Sequence, residues 1–290
     1  ERNSCKMDWL LDPLNYEFMR QALLASILAG IVCPIVGTYL IVQRMAMLGD
    51  VVAHGVLPGL AIASFLNFPL ALGAFALGIF STFVIAWIRT QSRIKVDTAM
   101  AITFSTFFSL GITLLSVFQN RIDLEQLLFG DILSVSVRHV WQIGAIAVLV
   151  AITVRLFYKE LLFYTFDPLG AEALGLPVNV INFGLMAAIT LTIIAGMKTV
   201  GVILVVALMV GPAATAYLLV KELHRMMLLG SLLGAFFGII GMYGSYYLDI
   251  PSGPAIGLTV FSGFLLTLLF SPRQGILTRS MTVQDLEEPS

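Results

Sequence analysis

Two ionisable side chains stand one helical turn apart in an apolar run: Asp50 and His54, in Asp50-Val51-Val52-Ala53-His54-Gly55-Val56-Leu57-Pro58-Gly59. On a helix, residues four apart share a face, so the carboxylate and the imidazole can close on one ion. A carboxylate at the centre of a bilayer costs about 2.5–3.5 kcal/mol on insertion scales, so such groups are turned inward and paired. Pro58 has no N–H to give the carbonyl of His54, which leaves a backbone oxygen beside the two side chains. Carboxylate oxygen, imidazole nitrogen and carbonyl oxygen make a donor set for a divalent cation such as Mn²⁺, Zn²⁺ or Fe²⁺. A plainer alternative has Asp50 capping its helix after Gly49 and His54 packing with a satisfied hydrogen bond. That accounts for Asp50 but leaves a costly histidine unexplained.

The elements that must position this pair are membrane spans. With 59% hydrophobic residues, 11% charged residues and a mean hydropathy of +0.96 over 290 residues, the chain is a polytopic membrane protein. Its net charge of −1 offers no basic surface for nucleic acid. Cys5 sits in a polar stub and Cys33 in an apolar span, which speaks against a disulfide or a zinc knuckle. Residues 1–14 read as a polar N-terminal stub with Met7 a candidate natural start, 15–272 as the membrane domain, and 273–290 as a polar cytoplasmic tail. Arg20 is followed by an uncharged run to Arg44, long enough to cross about 30 Å of hydrocarbon. Further runs lie near 48–66, 68–88, 98–118, 140–157, 178–197, 199–219, 226–248 and 253–271. The fold class expected is all-α, a bundle of about nine transmembrane helices. Ten of the sixteen Lys and Arg residues fall on one side, including Arg44, Arg93, Lys95, Arg155, Lys159, Lys221 and Arg225. That side is cytoplasmic, with the N-terminus outside and an external loop over 119–138.

Outside the Asp50 segment, no Asp, Glu, His, Lys or Arg lies at hydrocarbon depth in these runs, so the pair is singular. Asp123, Glu125 and Asp131 in the external loop face the compartment from which a cation arrives and are candidate gate or entry residues; solvated loop acids are the bland reading. On the inner side, between 158 and 177, Asp167 is a candidate N-cap, Pro168 the first helical residue and Gly175 a C-terminal stop. This predicts a short amphipathic helix through Gly170, Ala171 and Glu172, too short to stand alone in water, which docks on a cytoplasmic partner or lies on the bilayer. Gly230, Gly234 and Gly238 form a small-residue stripe for close helix packing. Gly211-Pro212, like Pro58-Gly59, predicts a helix break bordering the pathway. No Gly-x-x-x-x-Gly-Lys-[Ser/Thr] loop is present, so ATP is not hydrolysed by this chain, and no His-Glu-x-x-His motif marks it as a metalloprotease.

Several segments together resemble the permease subunit of bacterial ABC importers for manganese, zinc or iron. They are Asp50-x-x-x-His54 with Val56-Leu57-Pro58-Gly59, Phe129-Gly130-Asp131-Ile132-Leu133, Ala171-Glu172-Ala173-Leu174-Gly175-Leu176-Pro177, and Val200-Gly201 through Gly211-Pro212-Ala213-Ala214-Thr215-Ala216. The resemblance covers about residues 10 to 272. It implies a homodimer with the ion path near its two-fold axis, two copies of a cytoplasmic ATP-binding subunit held through a coupling helix at 166–177, and an extracytoplasmic metal-binding protein docking around Asp131. It also implies that Asp50 and His54 are pathway ligands, that nothing is bound covalently, and that ATP is used only through the partner. The thiol-free donor set and the Val-Leu-Pro-Gly tail lean towards Mn²⁺, with Zn²⁺ and Fe²⁺ behind. The competing class is a proton-coupled secondary metal transporter, with Asp50 and His54 as a relay.

Overall fold

The computed structural model describes residues 12–118, 130, 135–197 and 200–271, with residues 89 and 90 as backbone only. Among the described residues the chain is helical throughout: α1 (Glu17–Val42), α2 (Leu48–Gly55), α3 (Leu57–Phe65), α4 (Leu70–Gln91), α5 (Val96–Val117), α6 (Val137–Leu156), α7 (Tyr158–Phe166), α8 (Pro168–Ala173), α9 (Val178–Met197), α10 (Val202–Leu219), α11 (Leu223–Leu248) and α12 (Ser252–Phe270). Nine helical segments are long and apolar enough to cross a membrane, α2 and α3 counting as one span over Leu48–Phe65. Their positions agree with the apolar runs of the sequence, because an uncharged stretch in lipid can satisfy its backbone only as a helix.

The 26-residue α1 is the hub. It packs along α11 and α10 and also meets α6 and α9. The α1–α11 seam is built on small residues: a Cβ added at Gly30 would lie 2.5 Å from the Gly234 carbonyl oxygen, and one at Gly230 would lie 3.1 Å from Pro34 Cβ. The glycine stripe therefore packs against α1, as a stripe for close helix packing should. Opposite, Gly59 of α3 lies against the backbone of Gly73 of α4, so Gly59 serves close approach and the helix runs on through it.

The α2–α3 span lies deepest, with Val51, Val52, Ala53, Val56, Leu57 and Leu60 all at most 2% exposed. At Gly211-Pro212 the structure departs from the sequence expectation. Pro212 lies inside one continuous α10, with no helix break. Proline removes only the bond to the Leu208 carbonyl, and a helix packed on α1, α11 and α12 tolerates that loss. Arg44, Arg93 and Lys95, assigned to one side by the positive-inside rule, line one cavity of about 530 Å³.

Gly234→Ala and Gly244→Ala gain the same helix propensity, but only Gly234 faces backbone, whereas nothing lies within 4 Å of a Cβ at Gly244. Gly234→Ala is expected to lose about 1–3 kcal/mol through overpacking. A lower Tm for Gly234→Ala than for Gly244→Ala in detergent checks this; equal values would dissolve the seam.

Candidate functional site

Asp50 lies in the first turn of α2, where the helix dipole favours an anion. Met47 is the N-cap residue and no side-chain cap bond is made there, so Asp50 is not the cap that the plainer reading made it. Its half-buried side chain lines a groove of about 360 Å³ together with Met47, Val206, Val210 and Gly211 and, from α12, Phe261. Asp50 and Gly211 thus border one groove.

His54 is also half-buried, and its ring is held from two directions. Nδ1 lies 3.0 Å from the Asp50 backbone oxygen. A carbonyl only accepts, so Nδ1 is the donor in this contact, and in the neutral ring the lone pair is then on Nε2. The ring edges onto Phe104 at 4.9 Å and Phe108 at 5.3 Å between centroids. These two rings stack on each other from one face of α5. They escape a reading based on ionisable groups; their four-residue spacing was the available signal. Among the described residues no ion pair joins Asp50 to His54, so their link is ring to carbonyl.

The break next to this pair falls at Val56, between α2 and α3. The Val56 N–H bonds the Val52 carbonyl at 3.1 Å, and the ladder resumes with Leu60 N–H to the Val56 carbonyl at 3.0 Å. Pro58 sits in the first turn of α3, where its missing N–H is harmless. Among the described residues no group of three or more His, Cys, Asp or Glu gathers as a metal cluster. Asp123, Glu125 and Asp131 lie outside the described residues.

The inner loop forms the short helix its residues foretell. The Gly170 N–H donates to Asp167 Oδ1 at 2.9 Å, Pro168 opens α8, and Gly175 takes a φ of +79° that stops it. Glu172 lies on the exposed side, and its carbonyl accepts from the Gly175 N–H at 2.9 Å. Ala171 is fully buried, whereas Leu169 and Leu174 are 79% and 73% exposed. Ala171 therefore seats the helix, and the two leucines form its outward apolar face. Sequence reading picked the small residues and passed over the leucines. Upstream, Gln43 Nε2 donates to Thr165 Oγ1 at 3.4 Å, which ties the α1–α2 turn to α7.

A model of the ABC 3 transport family matches residues 15–271. The chain belongs to this family. It is 42% identical over 264 residues to the manganese transport system membrane protein MntC of Listeria monocytogenes, spanning 91% of this chain and 94% of that one. The manganese import system permease protein ScaB of Streptococcus gordonii is 39% identical over 267 residues, 92% of this chain and 96% of that one. Among solved structures, PsaBC from Streptococcus pneumoniae in complex with Fab aligns with a TM-score of 0.83 at 36% identity, over 92% of this chain and 97% of that chain. As an ABC 3 chain with nine apolar spans among its described residues, it is a multi-pass membrane protein of a permease family.

Asp167→Ala removes the cap of α8 and is expected to loosen it by about 1 kcal/mol. Hydrogen exchange at 168–174 should speed up about fivefold while α9 is unchanged; no change would deny the cap any energetic role.

Proposed function

We propose that the chain is the membrane-spanning subunit of an ATP-driven divalent metal importer in the bacterial plasma membrane, with Mn²⁺ as its preferred cargo. The observation that carries this reading is the pair Asp50 and His54, ionisable groups in the most enclosed span. Asp50 lines a groove, and a neutral His54 that donates from Nδ1 to the Asp50 carbonyl would keep Nε2 free for an ion. The names of the MntC and ScaB relatives support manganese. So does the donor chemistry, which is carboxylate and imidazole without thiolate. Zinc or iron in the same type of importer is the nearest alternative.

In this reading the ion leaves an extracytoplasmic metal-binding protein, enters past the loop of Asp123, Glu125 and Asp131, and passes Asp50 and His54 in a homodimer. Exchange of water for carboxylate and imidazole lowers the barrier that lipid imposes on a dication. Two ATP-binding subunits hydrolyse ATP, and each seats α8 in a groove. The exposed Leu169 and Leu174 are the contact and the Asp167 cap with Pro168, Gly170 and Gly175 sets the shape. The chain itself performs no catalysis.

Asp50→Ala and His54→Ala are expected to lower Mn²⁺ uptake at least about tenfold, since loss of a group behind a ligand alone already costs that much. The assay is ⁵⁴Mn uptake into proteoliposomes holding the chain, its ATPase and its binding protein. Full uptake by both variants would sink the metal assignment, and uptake by the chain alone under a pH gradient would replace the importer with a secondary transporter.

Leu169→Asp with Leu174→Asp places two charges on the outward face of α8. Loss of ATPase co-purification, with the Tm of the isolated chain unchanged, is the expected result; an intact complex would assign docking elsewhere.

A further inference from the structure

A second cavity lies away from Asp50, between α1, α6 and α11. It has a volume of about 360 Å³, and its walls are apolar, with Ile31, Ile35, Val154 and Leu228 among them. At one end stand Arg155, Tyr158 and His224. Leu228 is 67% exposed, and the adjoining surface of α6 continues apolar through Val148, Leu149 and Ile152. The basic end belongs to the side assigned as cytoplasmic, and the apolar length runs into the span.

We propose that this groove binds an anionic phospholipid of the inner leaflet, with one acyl chain along α1 and α11 and the headgroup phosphate at Arg155. Charge and polarity fit together. An acyl chain fills an apolar slot at membrane depth, and a phosphate meets a guanidinium at the interface, where basic pockets between transmembrane helices take lipid headgroups. Glu222 is already engaged, 2.9 Å from Arg225 Nε and 3.3 Å from His224 Nε2. Among the described residues no ion pair takes Arg155. The Tyr158 hydroxyl-bearing ring adds the amphipathic rim side chain typical of this depth. The floor is fixed, because Ser231 Oγ donates to the Ile31 carbonyl at 2.9 Å and pins α11 to α1 beneath the chain.

The test is native mass spectrometry of the full-length chain in detergent with equimolar phosphatidylglycerol and phosphatidylcholine. Retention of phosphatidylglycerol about fivefold above phosphatidylcholine is expected, the ratio set by one basic residue at an anionic headgroup. Arg155→Gln should bring the ratio close to one and Arg155→Lys should keep most of it, with both variants eluting as wild type. An unchanged ratio in Arg155→Gln, or glycerophosphoglycerol binding as well as the intact lipid, overturns the proposal. A photo-crosslinking residue at Leu228 provides a readout independent of affinity. Lipid adducts support the proposal, whereas an adduct joining two copies of the chain would make the groove a protein interface and overturn it.

Discussion

Hydrocarbon supplies no hydrogen-bond partner, so most polar groups at membrane depth are satisfied from within the chain, although the buried hydroxyls of Ser26, Tyr39 and Thr103 find no partner among the described residues. Several threonine hydroxyls inside the spans turn back on their own helices: Thr38 to the Pro34 carbonyl at 2.7 Å, Thr190 to Met186 at 2.9 Å, Thr215 to Gly211 at 2.8 Å and Thr259 to Ala255 at 2.9 Å. His54 follows the same rule with one of its two nitrogens. Its Nδ1–H goes to a carbonyl four residues back, as a threonine hydroxyl would. A threonine is then left with only the weak lone pairs of its hydroxyl oxygen, whereas a neutral histidine still has the strong nitrogen donor Nε2. That remaining lone pair separates a packing residue from a ligand, and it exists because the ring has two nitrogens.

The frame that holds this geometry is made from residues with little or no side chain. Helices gain nothing from excluding water in lipid, so close backbone approach and dispersion must hold them. The seams α1–α11 at Gly30 and Gly234, and α3–α4 at Gly59 and Gly73, supply that approach. Packed on α4, α5, α9 and α10, α2 keeps Asp50 towards α10 and α12 while Phe104 and Phe108 of α5 fix the ring of His54. The turn before α2 carries Arg44 at a φ of +57°, and Gln43 beside it reaches Thr165 in α7. The segment bearing the pair is therefore tied to the inner loop by one polar contact as well as by the chain.

Much of this was legible in the residues. An uncharged run of about twenty residues is a span for reasons of desolvation alone, and Asp167, Pro168 and Gly175 carry their own local instructions. The misreadings share one cause, which is that a sequence shows what a residue permits and tertiary packing decides what it does. Pro212 permits a break, but α10, packed on three neighbours, runs on through it. Ala171 reads as a contact because it is small, yet burial makes it the anchor and leaves the surface to Leu169 and Leu174. The phenylalanines around His54 could not be told from the chain's many other apolar side chains without knowing which helix faces α2.

In the proposed path a single copy would offer a passing ion two side-chain donors, Asp50 and His54, and among the described residues no group of three or more His, Cys, Asp or Glu gathers. Divalent cations in resident protein sites take four to six or more ligands, so one copy is far from a storage site. For a permease this shortfall is useful. An ion bound by a full ligand set sits in a deep well and leaves slowly, while conduction requires a site strong enough to replace hydration and weak enough to release. In the proposed homodimer, two copies of Asp50 and His54 would present four donors when the α2 segments face each other and two when they part. Affinity would then follow the separation of two helices rather than any change in the ligands themselves. That separation is what a motor acting on α8 could alter, through α7 and the Gln43 to Thr165 contact, without touching the metal.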